Sequence, residues 1–68
     1  MNNPIDLFAW KVRSERKRRH LTQKKLAERL SMNSRTIIDL ETGKSNPKFE
    51  TVILLARELN ISVDAAIF

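Results

Sequence analysis

Residues 22–41, TQKKLAERLSMNSRTIIDLE, decide the fold of this chain, because their pattern predicts two short amphipathic helices joined by a three-residue turn. The hydroxyl of Thr22 can cap the unpaired backbone N–H groups at the start of the first helix. The apolar residues that follow have helical spacing: Leu26, Ala27 and Leu30. Because Ala27 is small, a second helix can cross the first one closely at a steep angle.

The second helix of this pair has Asn33 as its expected N-cap. Its inner side repeats the apolar rhythm with Ile37 and Leu40, and Glu41 follows on the same side. Four residues are left on the outward side: Ser34, Arg35, Ile38 and Asp39.

The rest of the chain predicts three more helices around this pair. They are expected at Pro4–Arg19, at Glu50–Leu59 and, as a single turn, at Val63–Ile67. The only glycine, Gly43, lies where the second helix of the pair must stop. No stretch alternates like a strand, so residues 1–68 are predicted to form one all-α domain of five short helices.

Composition excludes several classes of protein. The 68 residues include no cysteine and one histidine, so we expect no disulfide, no metal site and no cofactor. No segment is long or apolar enough for a signal peptide or a membrane span. Together with the lack of disulfides, this indicates a cytoplasmic protein.

Positive charge is concentrated in residues 11–25, where eight basic residues face Glu15 alone and the net charge is +7. Such a block can lie beside phosphates, attract acidic lipids or simply solvate a helix. Within it, the apolar line of Phe8 and Val12 continues into Arg16, and a guanidinium on a buried side needs a partner.

Across residues 8–68 the chain resembles the phage repressor and Cro type of helix-turn-helix domain, the xenobiotic-response-element family of bacterial regulators. The resemblance rests on the joint order of Arg16, Leu21–Gln23, Leu26, Ala27, Ile37, Leu40–Lys44, Pro47, Leu55, Ala56 and Ile61–Phe68. It implies a compact, five-helix, lambda-repressor-like fold with the helix-turn-helix motif at about residues 22–42. It also implies a buried ion pair between Arg16 and Glu41.

Three residues depart from the family pattern: His20 and Ser31 stand where the family usually has glycine, and Glu15 stands where it often has leucine. A residue other than glycine in a left-handed turn costs about 1 kcal/mol.

In helix-turn-helix domains the N-terminal part of the second motif helix reaches the base edges. By position, the predicted base-reading residues are Ser34, Arg35, Ile38 and Asp39. Arg35 can donate two hydrogen bonds to guanine, which discriminates against a wrong base by about 1–3 kcal/mol. Ile38 can meet a thymine methyl group, and Asp39 either accepts from a cytosine amino group or orients Arg35.

Each of these assignments has a plainer alternative. Arg35 and Asp39 can form an ordinary surface ion pair, worth about 0–1 kcal/mol. Ile38 can pack against a neighbouring subunit, and Ser34 can serve only as a cap in competition with Asn33.

Phosphate contacts are expected first from Gln23, because its amide and the backbone N–H groups at the start of its helix face the same way. Weaker candidates are Lys24, Asn33, Lys44, Asn46 and Lys48, and for each lysine the alternative is a solvated side chain. The run Arg16–Arg19 is interpreted mainly as long-range steering, since in this architecture the first helix lies away from the DNA groove. Trp10 either covers the edge of the core or makes an interface.

The C-terminal part, about residues 50–67, has more apolar side chains than one small core can bury. The predicted dimer interface consists of Ile53, Leu54, Ala65, Ile67 and Phe68. In relatives the last helices form a two-fold dimer, which sets two recognition helices about 34 Å apart, one turn of DNA.

These observations predict a sequence-specific DNA-binding transcriptional regulator, a repressor that binds double-stranded DNA as a homodimer on a pseudo-palindromic operator. The alternative is a protein-interaction module on the same fold, such as the antitoxin partner of a toxin. An enzyme is not expected, because no nucleophile, base and orienting group occur together.

Overall fold

The computed structural model describes residues 4–63, and this part of the chain contains four α-helices and no strand. Their bounds are α1 (Pro4–Arg18), α2 (Gln23–Arg29), α3 (Ser34–Glu41) and α4 (Phe49–Leu59). Within the same residues no helix has both the length and the apolar character needed to cross a membrane.

The all-α prediction is correct, but the prediction of five helices is wrong. Only four helices occur in residues 4–63, and Ser62 and Val63, which were expected to begin the fifth, are not helical. The remainder of that predicted helix, residues 64–67, lies outside the described residues. Asn60, which is left-handed at φ 55°, ends α4, and the described residues after it, 61–63, do not resume helical hydrogen bonding.

The four helices share one core, to which each contributes the apolar residues of its inner side. The fully buried side chains include Phe8 and Val12 of α1, and Ile37 and Leu40 of α3. The other buried apolar residues are Ala9, Leu26, Ala27, Val52, Leu55, Ala56 and Leu59. The helical spacing in the sequence therefore located the inner side of every helix in the described range.

Side-chain caps fix the starts of the two motif helices. The hydroxyl of Thr22 accepts from the backbone N–H of Lys25 at 3.0 Å, and the Oδ1 atom of Asn33 accepts from that of Arg35 at 2.8 Å. Both caps satisfy backbone donors that a helix of seven or eight residues would otherwise leave unpaired.

All four helices end in the same way, with the chain turning back through a left-handed residue. In the described range, the four residues with positive φ are His20, Ser31, Gly43 and Asn60. After α1, the backbone N–H of Leu21 donates to the carbonyl of Arg16 at 3.0 Å, which is the long hydrogen bond of a Schellman motif. Equivalent hydrogen bonds close α2, α3 and α4.

Candidate nucleic-acid interface

A buried ion pair joins α1 to the end of α3. The Nε atom of Arg16 lies 2.7 Å from Oε2 of Glu41, and Nη2 of Arg16 donates to Oε1 of Glu41 at 2.9 Å. Their side chains are 10 % and 2 % exposed. The arginine that ends the apolar line of α1 thus has its partner in the glutamate that ends α3.

The same carboxylate also holds the first residue of α2. Nε2 of Gln23 donates to Oε1 of Glu41 at 3.1 Å, and Nη1 of Arg16 donates to the carbonyl of Leu21 at 2.8 Å. This network fixes the start of α2 relative to the end of α3. In the described part of the chain, no buried side-chain nitrogen or oxygen lacks a hydrogen-bond partner.

The outward side of α3 is centred on Arg35, whose side chain is 68 % exposed. Asp39, one turn later, has its Oδ1 atom 3.7 Å from Nε of Arg35, which is longer than a charge-assisted hydrogen bond. The guanidinium of Arg35 therefore remains available to another acceptor.

Arg35 and Asp39 line a groove of about 380 Å³ between α3 and the loop before α4. Among the other residues on this groove are Asn33, Asn46 and Lys48, three of the predicted phosphate contacts. Lys24 and Lys44 are exposed but do not line it.

Two of the predicted base-reading residues, Ser34 and Ile38, do not line the groove that contains Arg35. Ser34 is the first residue of α3 and leaves the capping role to Asn33. Ile38 is partly buried and does not line the groove of Arg35. The groove instead includes Thr36, which sequence reasoning did not select, although it directly follows Arg35 on the helix.

Two arginines at the end of the basic block, Arg18 and Arg19, bind different parts of the protein. Arg18 donates to Oε1 of Glu15 at 2.8 Å, and this hydrogen bond lowers the pKa of the Glu15 carboxyl below its ordinary value. Arg19 donates to the carbonyls of Glu58 and Leu59 at 2.7 and 3.0 Å, so its guanidinium binds the C-terminal end of α4. No local pattern predicts this contact, because its partners are about 40 residues apart in the chain.

A second groove, of about 500 Å³, runs from α1 to the start of α2. It is lined by Arg13, Lys17, Thr22 and Gln23, and also by Glu41 and Thr42. Arg13 and Lys17 are exposed, and no ion pair joins either of them to an acidic residue within 4–63.

Among residues 4–63, three large apolar side chains remain exposed: Trp10 at 54 %, Phe49 at 62 % and Leu54 at 40 %. Trp10 therefore covers the core only in part. Leu54 was predicted for a dimer interface, whereas Phe49 was not selected. Ile53 is partly buried, and the other predicted interface residues, Ala65, Ile67 and Phe68, lie outside the described residues.

The fold and this interface define a helix-turn-helix protein, and comparison with known proteins agrees. The helix-turn-helix family profile matches residues 12–65, so the chain belongs to that family. The resemblance to phage repressor and Cro-type domains is thereby confirmed.

One relative is described as an uncharacterized HTH-type transcriptional regulator from Archaeoglobus fulgidus. It is 32 % identical over 54 residues, covering 79 % of this chain and 76 % of that protein. No solved structure matches the chain significantly. The family and this relative support a DNA-binding regulator of transcription, a class that is generally not enzymatic.

Proposed function

We propose that this protein represses transcription by binding a pseudo-palindromic DNA operator as a homodimer. The observation that supports this most strongly is the outward side of α3, where the exposed Arg35 stands on a helix fixed at both ends. Asn33 caps its start, and the pair of Arg16 and Glu41 anchors its end. A short helix that is held at both ends and carries an exposed arginine near its start suits the major groove.

Arg35 is the proposed reader of guanine, and its long contact with Asp39 leaves the guanidinium free to turn to a base. Asp39 accepts from a cytosine amino group or orients Arg35, and Ser34 and Thr36 flank them. Ile38 is retained as a contact to a thymine methyl group. Repression needs no further surface, because an occupied operator blocks access to the promoter.

Gln23 is the proposed principal phosphate contact. Because Glu41 accepts from only one of its two amide hydrogens, the other hydrogen is left for a phosphate oxygen. Asn46 and Lys48 extend this contact along the loop before α4, and Lys24, Lys44 and Asn33 are the outer candidates.

The proposed dimer uses Ile53 and Leu54, two apolar residues of α4 outside its buried set, together with Ala65, Ile67 and Phe68. The 40 % exposure of Leu54 supports this assignment, since a partner subunit would cover it. A two-fold dimer matches the symmetry of a palindromic site. A cytoplasmic location is part of the same proposal, since the protein must reach its DNA target.

The proposal is tested by incubating the protein with a pool of randomised DNA duplexes at near-physiological salt and sequencing the bound fraction. We expect enrichment of a pseudo-palindrome whose half-sites are about 10 base pairs apart. If no sequence is enriched, the proposal of a base-reading regulator fails.

A second candidate is a protein-interaction module such as an antitoxin, and the exposure of Trp10 and Phe49 favours it. Salt separates the two functions. Binding driven by phosphates weakens by a log–log slope of about −0.9 for each contact, whereas an apolar protein interface lacks this dependence.

A further inference from the structure

We propose that Arg13 and Lys17 of α1 form a second phosphate-binding surface, which extends the DNA interface from Gln23 along the first helix. This inference rests on the proposed DNA-binding function. It assigns to α1 a direct contact with the DNA backbone, in place of the long-range steering expected from the sequence.

The basic residues of α1, together with Arg19 directly after it, divide into those that have a partner within the protein and those that have none. Arg16, Arg18 and Arg19 are all engaged with carboxylates or backbone carbonyls of the protein. Lys11, Arg13 and Lys17 have no such partner among residues 4–63, and of these three only Arg13 and Lys17 line the groove beside Gln23. A cation without an internal partner retains its full charge for an external anion.

The second support is position. Arg13 and Lys17 are four residues apart, so they lie on one side of α1 and about 6 Å apart along its axis. They line the same groove as Thr22 and Gln23. A DNA strand whose phosphate contacts Gln23 can therefore continue past both cations.

Third, Glu41, the one acidic residue that lines this groove, already has partners within the protein. The Glu41 carboxylate is 2 % exposed and accepts hydrogen bonds from both Arg16 and Gln23. Its negative charge is thus compensated within the protein, and it does not repel a phosphate in the groove. The net character of the groove is cationic.

The test is the salt dependence of binding to the selected duplex, measured by fluorescence anisotropy for the wild type and for R13Q/K17Q. Glutamine keeps helix propensity but removes both charges. Two lost phosphate contacts should reduce the log–log slope by about 1.8, while the preferred base sequence stays the same. The charge-conserving variant R13K/K17R should retain the wild-type slope.

The matched control is R18Q/R29Q, which removes the same total charge from residues that pair with Glu15 and Glu58. We expect it to keep the slope within about 0.5 of the wild-type value, against about 1.8 for lost contacts. Equal changes in R13Q/K17Q and the control would overturn the inference and indicate a general electrostatic field. If R13Q/K17Q melts early, K17Q alone should still lower the slope by about 0.9.

Failure of the inference about Arg13 and Lys17 can be told apart from failure of the proposed DNA-binding function. A wild-type protein that binds no duplex refutes DNA binding itself. A wild-type protein that binds its operator while R13Q/K17Q keeps the full slope refutes only the surface on α1.

Discussion

Arg16 and Glu41 form a bidentate ion pair, in which Nε and Nη2 of Arg16 donate to the two carboxylate oxygens of Glu41 at 2.7 and 2.9 Å. Glu41 also accepts from Gln23 at 3.1 Å. The position of Gln23, the proposed phosphate contact, therefore depends on the buried pair of Arg16 and Glu41. The same pair holds the end of the proposed recognition helix.

Breaking this pair should be strongly destabilising. Glu41→Gln leaves Arg16 charged in a site where it is 8 % exposed, and we expect a loss of about 3–5 kcal/mol in the free energy of unfolding. Urea denaturation followed by circular dichroism measures this loss. The double variant R16M/E41L removes both charges and should recover much of the stability. If the double variant is as destabilised as the sum of the losses from Arg16→Met alone and Glu41→Leu alone, this explanation is contradicted.

The contact of Arg19 with the end of α4 should also be measurable in stability. Arg19→Gln removes two charge-assisted hydrogen bonds to the carbonyls of Glu58 and Leu59, and about 1–2 kcal/mol should be lost, since the side chain is one-third exposed. Arg18→Gln, whose guanidinium faces solvent, is the control and should leave the melting temperature nearly unchanged. Equal effects of the two substitutions would show that the α4 contact is not specific.

The left-handed residues predict stabilising substitutions. Ser31 has φ 53°, a conformation that glycine adopts without steric cost, so Ser31→Gly should raise the free energy of unfolding by up to about 1 kcal/mol. Asn60→Gly is the comparison and should gain less, because asparagine tolerates φ 55° better than serine does. Destabilisation by Ser31→Gly would mean that its side chain makes a contact more favourable than the relief of strain.

The proposed dimer interface is tested on α4. Leu54→Lys places a charge on the proposed contact and should convert the dimer into a monomer in analytical ultracentrifugation at micromolar concentration. Trp10→Lys changes an exposed apolar residue of α1 and should leave the dimer intact. If Trp10→Lys dissociates the dimer and Leu54→Lys does not, the interface lies on α1. A wild-type protein that is monomeric even with DNA would refute the dimer.

Much of the fold could be predicted because its determinants are local. Capping by Thr22 and Asn33 and the helical spacing of apolar residues depend on neighbours within one or two turns, and they located the motif helices. The apolar line of α1 showed that Arg16 is a buried cation in need of a partner. Residue spacing did not identify that partner, and Glu41 was assigned only by resemblance to the family.

The remaining features depend on distant contacts or on competition between neighbours. Arg19 binds carbonyls about 40 residues away, and no sequence pattern marks such a pairing. The division of the basic block was not visible either, because it depends on which cations meet a carboxylate in the folded chain. The helical spacing assigned Ile38 to the outward side and did not select Thr36. Ile38 is in fact partly buried, because residue spacing locates the boundary between the inner and outer sides of a helix only approximately.

Base reading by Arg35 is tested by measuring the affinity of wild-type and Arg35→Ala proteins for the selected operator and for operators altered at its guanine. The wild type should lose about 5- to 150-fold in affinity when that guanine is replaced, the equivalent of about 1–3 kcal/mol. Arg35→Ala should bind both duplexes equally, with little change in salt dependence. If Arg35→Ala discriminates between them as well as the wild type does, Arg35 is not the reader and the account of α3 is wrong.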